Sequence, residues 1–150
     1  MILYNMFWLC CGSKLNNIEY VDTIPFIPTF SKCKVVKVYD GDTITVAAYL
    51  KGDPTCYRFS VRLRGIDSPE IRTKNEDEKK SAIISRDKLS EKILHQIVYL
   101  NDIGNEKYGR VLANVIFKGE NINDWLLNNK LAVKYDGGKK VAFEENKNSI

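Results

Sequence analysis

Apolar and polar residues alternate along several short segments of the chain, and this alternation predicts β-strands. Residues 33–39 alternate, residues 43–49 are rich in β-branched side chains, and residues 56–63 alternate again. Turn-forming residues separate these segments, with Asp40-Gly41 after the first and a Lys-Gly-Asp-Pro run at residues 51–54 after the second. We therefore expect three antiparallel strands in a meander with one face on a shared core.

Two further segments repeat apolar residues every three or four positions, which predicts helices that pack on the sheet. In residues 77–100 the repeating positions are Ala82, Leu89, Ile93, Ile97 and Leu100. A second, shorter helix is expected after Asn121, a good N-terminal cap, and its apolar residues are Ile122, Trp125, Leu126 and Leu131. A strand at residues 111–117 lies between the two helices. The order of elements predicts an α+β fold.

The first 31 residues differ from this pattern. Residues 1–12 are apolar and uncharged, and they are shorter than the roughly 20 residues that a membrane-spanning helix needs. A cleaved secretory signal, a shallow membrane anchor reinforced by acylation of Cys10 and Cys11, and a terminus that packs or frays all stay open. We expect an N-terminal extension over residues 1–31, with a linker at 13–31, a folded domain over 32–140 and a tail over 141–150.

Composition narrows the classes of function. The 150 residues are 44% hydrophobic and 28% charged, which is typical of one globular domain, and the net charge of +4 mildly favours acidic partners. The four cysteines form no CxxC pair and His95 is the only histidine, which excludes a structural zinc site and a His-based triad. The cysteines do not resemble a disulfide framework, so we favour an intracellular or membrane-associated location over secretion.

Three motifs carry the residues suited to phosphodiester chemistry: residues 40–43 (Asp-Gly-Asp-Thr), 62–70 (Arg-Leu-Arg-Gly-Ile-Asp-Ser-Pro-Glu) and 106–110 (Glu-Lys-Tyr-Gly-Arg). Asp42 and Asp67 offer the hard oxygen ligands that calcium or magnesium prefers. The carbonyl of Ser68 and several waters would complete the roughly six to eight oxygens of a calcium site. An ordinary hairpin turn also explains the first motif, whereas an EF-hand loop does not, because Lys51 stands where a glutamate is required.

The remaining charged residues fit a hydrolytic step. Glu70, close to Asp67, is suited to take a proton from an attacking water, although Ser68, Pro69 and Glu70 would also make a good helix N-terminus. Arg62 and Arg110 offer planar forks of donors that fit phosphate oxygens. An isolated arginine is more often a solvated surface residue, so the interpretation depends on all three motifs occurring together.

In order and spacing, these motifs resemble the staphylococcal nuclease-like family, and the resemblance extends over residues 34–135. It implies an OB-like five-stranded barrel with packed helices. It also implies calcium-dependent endonucleolytic cleavage of DNA and RNA that leaves 3′-phosphate ends. A calcium site with two fixed carboxylates is expected to be weak, with a dissociation constant of about 10⁻⁴ to 10⁻³ M.

The resemblance also assigns roles to individual residues. Asp42, Asp67 and the Ser68 carbonyl match the metal ligands, Glu70 matches the general base, and Arg62 and Arg110 match the phosphate-binding arginines. The residues that match substrate contacts are Lys107 and Tyr108, for a terminal phosphate, and Tyr135, for base stacking. After Tyr135 the tail has few apolar residues, where many relatives have a longer amphipathic helix. The N-terminal extension is not part of the family core.

We expect a monomeric nuclease whose substrates are DNA and RNA, and membrane attachment through the apolar N-terminus stays one of the open alternatives for residues 1–12. The alternative is a module of the same fold that binds nucleic acid or peptides without cleaving them. A calcium-binding structural domain would explain the aspartates but would leave Arg62 and Arg110 without a role. Because all five charged catalytic positions are filled, the sequence favours the nuclease.

Overall fold

The computed structural model describes residues 15–106 and 108–138. Within them lie two α-helices, α1 (Glu76–Ile93) and α2 (Ile122–Asn128), and one turn of 3-10 helix at Tyr20–Asp22. The strands are β1 (Lys32–Val38), β2 (Thr43–Tyr49), β3 (Cys56–Leu63), β4 (Ile66–Asp67), β5 (Ile97–Asn105), β6 (Val111–Phe117), β7 (Glu120–Asn121) and β8 (Val133–Lys134).

Five of these strands close into a barrel. β3, β2, β1, β5 and β6 are hydrogen-bonded neighbours in that order, and β3 pairs in parallel with β6 to complete the circle. β7 extends the sheet from β6, and β4 pairs with β8 as a separate two-stranded ribbon. The expected α+β fold, an OB-like five-stranded barrel with packed helices, is therefore confirmed.

The alternating segments form the strands that the sequence predicts. β2, β3 and β6 have the predicted limits, because alternation places Ile44, Val46 and Val61 in the core and leaves the residues between them on the outer surface. Helix α2 begins as predicted after Asn121, whose side chain accepts hydrogen bonds from the backbone N–H groups of the first turn. It ends at Asn128, so the predicted inclusion of Leu131 is wrong.

Helix α1 ends seven residues earlier than the predicted limit at Leu100. α1 ends at Ile93, and the backbone of His95 has a φ of 64°, a left-handed conformation that a helix does not continue through. Beyond it the chain enters β5, where burial alternates and Val98 and Leu100 face the core while Ile97 is exposed. The prediction that Ile97 and Leu100 belong to the helix is therefore wrong. Both lie in β5, and Leu100 is buried there because alternate residues of a strand face the core.

The chain enters the barrel at the end of the segment that the sequence identifies as a linker. Tyr20 and Ile24 are each 91% exposed, whereas Phe30 is buried and its ring centroid lies 4.6 Å from that of Phe59. Residues 1–12, which carry the membrane-attachment prediction, lie outside the described residues. Among the described helices, none has the length and apolar character needed to cross a bilayer.

The two described cysteines have different environments. Cys33 is buried on the inner face of β1, and burial raises the pKa of its thiol to about 12. Cys56 is exposed at the start of β3, although the apolar character of both strand segments in the sequence favours a buried thiol at each position. Cys33 is therefore a core residue with little thiolate character.

Gly41 fixes the turn between β1 and β2 against the rest of the domain. It is buried, and a Cβ at this position would overlap the side chain of Ser85 on α1 and would lie 2.7 Å from the Cβ of Ser68. The Ser85 hydroxyl is itself held, because it donates a hydrogen bond of 2.8 Å to the carbonyl of Leu131. Only glycine allows the turn, α1 and the segment after β4 to approach this closely.

We expect Gly41→Ala to lower the free energy of unfolding by about 1–3 kcal/mol, because an added methyl group must displace packed neighbours. Urea unfolding followed by circular dichroism measures the change. Gly138→Ala is the matched control, since Gly138 is exposed and a Cβ there meets only an Asp136 side-chain oxygen, at 3.3 Å. Equal effects of the two substitutions would contradict the close packing at Gly41.

Candidate active site

The predicted site residues meet in one cleft of about 360 Å³ at the end of the barrel where β2 begins and β3 ends. The residues that line it are Tyr39, Asp40, Asp42, Arg62, Asp67, Ser68, Glu70, Glu106, Tyr108, Arg110 and Tyr135. All the residues proposed from the sequence are present except Lys107, which lies outside the described residues. Tyr108 is open to solvent, with 73% of its surface exposed.

Three strands bring the central residues together. Asp42 immediately precedes β2, and its carbonyl accepts a hydrogen bond of 2.8 Å from the N–H of Leu63 at the end of β3. Arg62 lies opposite Thr43 in the β2–β3 register. Asp67 ends β4, one strand of the small ribbon. The positions of these strand ends therefore place the carboxylates of Asp42 and Asp67 beside Arg62.

Arg62 joins the two aspartates. Its Nη1 lies 2.7 Å from Asp42 Oδ2 and its Nη2 lies 2.8 Å from Asp67 Oδ1, and the three side chains are only 4–14% exposed. Burial disfavours the charge on Arg62, but the two carboxylates outweigh burial and raise its pKa. In this partly buried setting, ion pairs of this length hold the three groups in a fixed arrangement.

Asp42 is a buried carboxylate held by several fixed donors. Burial and then the nearby charge of Asp40 raise its pKa to about 6, against the opposing effects of Arg62 and of hydrogen bonds from the Thr43 hydroxyl and the Ser68 N–H. Those hydrogen bonds measure 2.9 and 3.2 Å. Fixed hydrogen-bond donors therefore orient both oxygens of Asp42. Without a bound metal ion, the negative charge of Asp42 is nevertheless unfavourable.

Arg110 is held by Glu106, the first residue of the third motif, to which the sequence assigned no role. Glu106 Oε2 accepts a hydrogen bond of 3.2 Å from Arg110 Nε and one of 3.0 Å from the N–H of Tyr108. Burial acts to raise the pKa of Glu106, but these two hydrogen bonds outweigh it and lower the pKa. Arg110 Nη1 also lies 3.5 Å from the hydroxyl of Thr43. Glu106 precedes Arg110 by four residues, and this spacing is the feature of the sequence that could have indicated an ion pair between them.

The alternative role of Ser68, Pro69 and Glu70 as a helix N-terminus is wrong. Helix α1 begins at Glu76, and Asn75 is its cap, with a side chain that accepts from two backbone N–H groups. Glu70 instead lies on the loop between β4 and α1 and contributes to the wall of the cleft. Its side chain is therefore not required to complete the first turn of a helix.

Tyr135 closes the cleft on the side of the small ribbon. β8 pairs with β4, and the N–H of Tyr135 donates a hydrogen bond of 3.0 Å to the carbonyl of Gly65. The Arg62 guanidinium carbon lies 5.8 Å from the centre of the tyrosine ring. A ring in this position stabilises the guanidinium and offers a flat apolar surface beside it.

The chemistry of the cleft fits a hard divalent cation. Five carboxylates line it, those of Asp40, Asp42, Asp67, Glu70 and Glu106, but only two arginines do. The carboxylates of Asp42 and Asp67 converge on one guanidinium, and the Ser68 backbone is beside them. Within the described residues, no three acidic, histidine or cysteine side chains form a complete metal cage. A cation bound here would thus rely on backbone oxygen and water for its remaining ligands.

Comparisons with known proteins agree with this geometry. The family model described as "Staphylococcal nuclease homologue" matches residues 60–149, which include Arg62, Asp67, Glu70 and Arg110. An uncharacterised endonuclease of Haemophilus influenzae is 34% identical over 108 residues, which cover 69% of this chain and 52% of that protein. The chain thus spans about half the length of the curated relative that it matches.

In the presence of a chelator, we expect Asp42→Asn and Arg62→Gln to change the free energy of unfolding in opposite directions. Because the folded pKa of Asp42 is about 6, above its ordinary value of 3.8, stability falls as the pH rises between these values, and the loss is complete near pH 7. Asp42→Asn should therefore raise the free energy of unfolding by about 3 kcal/mol near pH 7. Arg62→Gln should lower it by about 3 kcal/mol, because two buried carboxylates lose their partner.

Urea unfolding of both variants measures these changes. Arg86→Gln and Asp87→Asn supply the matched control, since that pair is 2.7 Å apart but exposed, and each change should stay within about 0.5 kcal/mol. A loss of stability in Asp42→Asn equal to that in Arg62→Gln would contradict the unfavourable charge at Asp42.

Proposed function

Because the chain belongs to the staphylococcal nuclease homologue family, we propose that it is a metal-dependent endonuclease that hydrolyses the phosphodiester bonds of DNA and RNA. The observation that carries this proposal is the convergence of Asp42, Arg62, Asp67, Glu70 and Arg110 on one cleft. Each of these residue types has a distinct task in phosphodiester hydrolysis. The relative from Haemophilus influenzae, itself called an endonuclease, supports the same class of reaction.

Arg62 and Arg110 are the phosphate-binding residues of this proposal. Described residues engage three of the five N–H groups of Arg62, through Asp42, Asp67 and the Ile66 carbonyl. Its orientation is therefore set before substrate arrives, and its other donors can bind a phosphate oxygen. Arg110, held by Glu106, would bind the same phosphate from another side. Two fixed guanidinium groups stabilise the negative charge that accumulates on the phosphoryl oxygens in the transition state.

Glu70 is the proposed general base. It takes a proton from a water molecule whose oxygen forms a bond to phosphorus, while the bond from phosphorus to the 5′ oxygen breaks. A proton returns to the leaving 5′ oxygen, so the products are a 3′-phosphate and a 5′-hydroxyl end. Glu70 suits this task because it lies on the wall of the cleft, on the loop between β4 and α1.

We propose calcium as the cofactor, held by Asp42, Asp67 and the carbonyl of Ser68. A calcium ion supplies positive charge that polarises the phosphoryl group and the attacking water. Its binding would also relieve the unfavourable charge of Asp42, whose pKa is raised to about 6 by burial. Membrane attachment through residues 1–12 and a monomeric state stay predictions from the sequence.

Cleavage of labelled single- and double-stranded DNA and of RNA, with calcium or with chelator, tests the proposal. We expect calcium-dependent cleavage with 3′-phosphate ends. Glu70→Gln, Arg62→Ala and Arg110→Ala should each lower kcat by about 10²–10³, as removal of an oxyanion donor or general base does. Glu91→Gln and Arg86→Ala, exposed residues of α1, are the matched controls and should cleave as the unmodified chain does.

Two results would overturn the proposal. One is binding of nucleic acid with no cleavage in calcium, magnesium or manganese, which would favour the binding-module alternative. The other is cleavage that persists at the original rate in all three cleft variants, which would place the activity elsewhere.

A further inference from the structure

The outer surface of β1–β3 carries positive charge that the cleft does not use. These three strands contain three lysines, two arginines and no aspartate or glutamate. Arg62 belongs to the cleft, and the other four cations lie on exposed positions of the same sheet: Lys32, Lys34, Lys37 and Arg58. We call these four side chains, with the residues of β2 between them, the basic face.

The strand register makes the basic face a continuation of the cleft. Arg62 lies opposite Thr43, at the cleft. Two residues further along each strand, Thr45 lies opposite Lys37 of β1. Alternate residues of a strand share one face, so these rows follow one another at about 7 Å along the outer surface.

The next row places cations on both sides of a small residue. Ala47 lies opposite Arg58 on β3 and opposite Lys34 on β1. Thr45 and Ala47 are half-buried and short, whereas Lys34 and Arg58 are exposed and long. The outer surface of β2 is therefore a shallow trough with positively charged walls, which begins at Thr43, opposite Arg62 of the cleft.

The trough also has aromatic residues at its two ends. Tyr39 lines the cleft, and the Lys37 ammonium lies 5.7 Å from the centre of its ring. Tyr49, the last residue of β2, is 63% exposed. Among the ion pairs of the described residues, none involves the four cations of the basic face. Uncompensated cations with exposed aromatic rings at the ends are the combination that binds single-stranded nucleic acid.

We propose that the trough along β2 binds the sugar-phosphate backbone of the substrate strand on one side of the scissile phosphate. The inference rests on the proposed function, because it is the continuity with the cleft that identifies the ligand as a nucleic acid strand. An anionic membrane would also attract these lysines. The nucleic acid is favoured because the same rows of residues that carry the cations lead directly to Arg62.

Binding measured in chelator, where a metal-dependent nuclease does not cut, tests the trough separately from cleavage. Fluorescence anisotropy of single-stranded DNA of about 4, 8 and 16 nucleotides covers the site sizes of OB folds. We expect Lys34→Gln with Arg58→Gln to weaken binding of the longest strand about tenfold and to affect the shortest strand least. The slope of log K against log salt should fall in magnitude by about 1.4, for two lost phosphate contacts.

Lys80→Gln with Lys88→Gln is the matched control, since both lysines are exposed on α1 and the net charge changes equally. Ser60, exposed between Arg58 and Arg62 on the same face, gives a second test. We expect Ser60→Glu to weaken binding of the long strand and Ser60→Lys to strengthen it. Equal losses in the two double variants, or equal effects of the two Ser60 variants, would overturn the proposal.

Flotation with phosphatidylserine vesicles distinguishes the membrane from nucleic acid. If Lys34→Gln with Arg58→Gln abolishes vesicle binding and leaves DNA affinity unchanged, the basic face contacts membranes and the proposal is overturned. The result of the cleavage assay is independent of the result of this binding test. An unmodified chain that binds long strands through the basic face but does not cut them in any metal would refute the proposed function and support the trough.

Discussion

The buried guanidinium of Arg62 is the interaction on which the cleft depends. Its Nη1 and Nη2 atoms lie 2.7 and 2.8 Å from carboxylate oxygens of Asp42 and Asp67, although Asp42 precedes β2 and Asp67 ends β4. Without a central cation, two nearly buried carboxylates would repel each other and would each lose solvation. Arg62 therefore has a structural effect in the free protein as well as its proposed role at the phosphate, and a variant of Arg62 alters both.

Local patterns in the sequence predicted the three-stranded meander, β6 and the starts of the helices, whereas the closed barrel was implied by the family resemblance. β2, β3 and β6 were predicted to the residue, β3 from its alternation, β2 from its β-branched residues and β6 as the strand between the two helices. The end of α1 was not predictable in this way, because Ile93, Ile97 and Leu100 satisfy the helical spacing and the last two also fit a strand. The helix ends because the backbone of Leu94 is extended and that of His95 is left-handed, and the residue types at these two positions do not predict either conformation.

The site was predictable to a different extent. The resemblance of three motifs to a family identified the charged residues, but alternation alone gave no reason for Asp42, Arg62 and Asp67 to meet. The strand ends and the β4–β8 ribbon supply that reason. Glu106 was missed because its effect is indirect, through the hydrogen bond that it accepts from Arg110. A glutamate four residues before an arginine is common on protein surfaces, and only its place in the cleft gives it a function.

Charge is distributed unevenly over this small domain, and the distribution has a physical logic. The cleft holds five carboxylates and two arginines, whereas β1–β3 outside it hold cations and no carboxylates. A nucleic acid strand alone would be repelled by the carboxylates and attracted by the neighbouring strands. A divalent cation reverses the balance in the cleft itself, so the phosphate to be cut and the phosphates beside it would be held by different charges. Binding that depends on salt and catalysis that depends on metal can then reside on adjacent parts of one sheet.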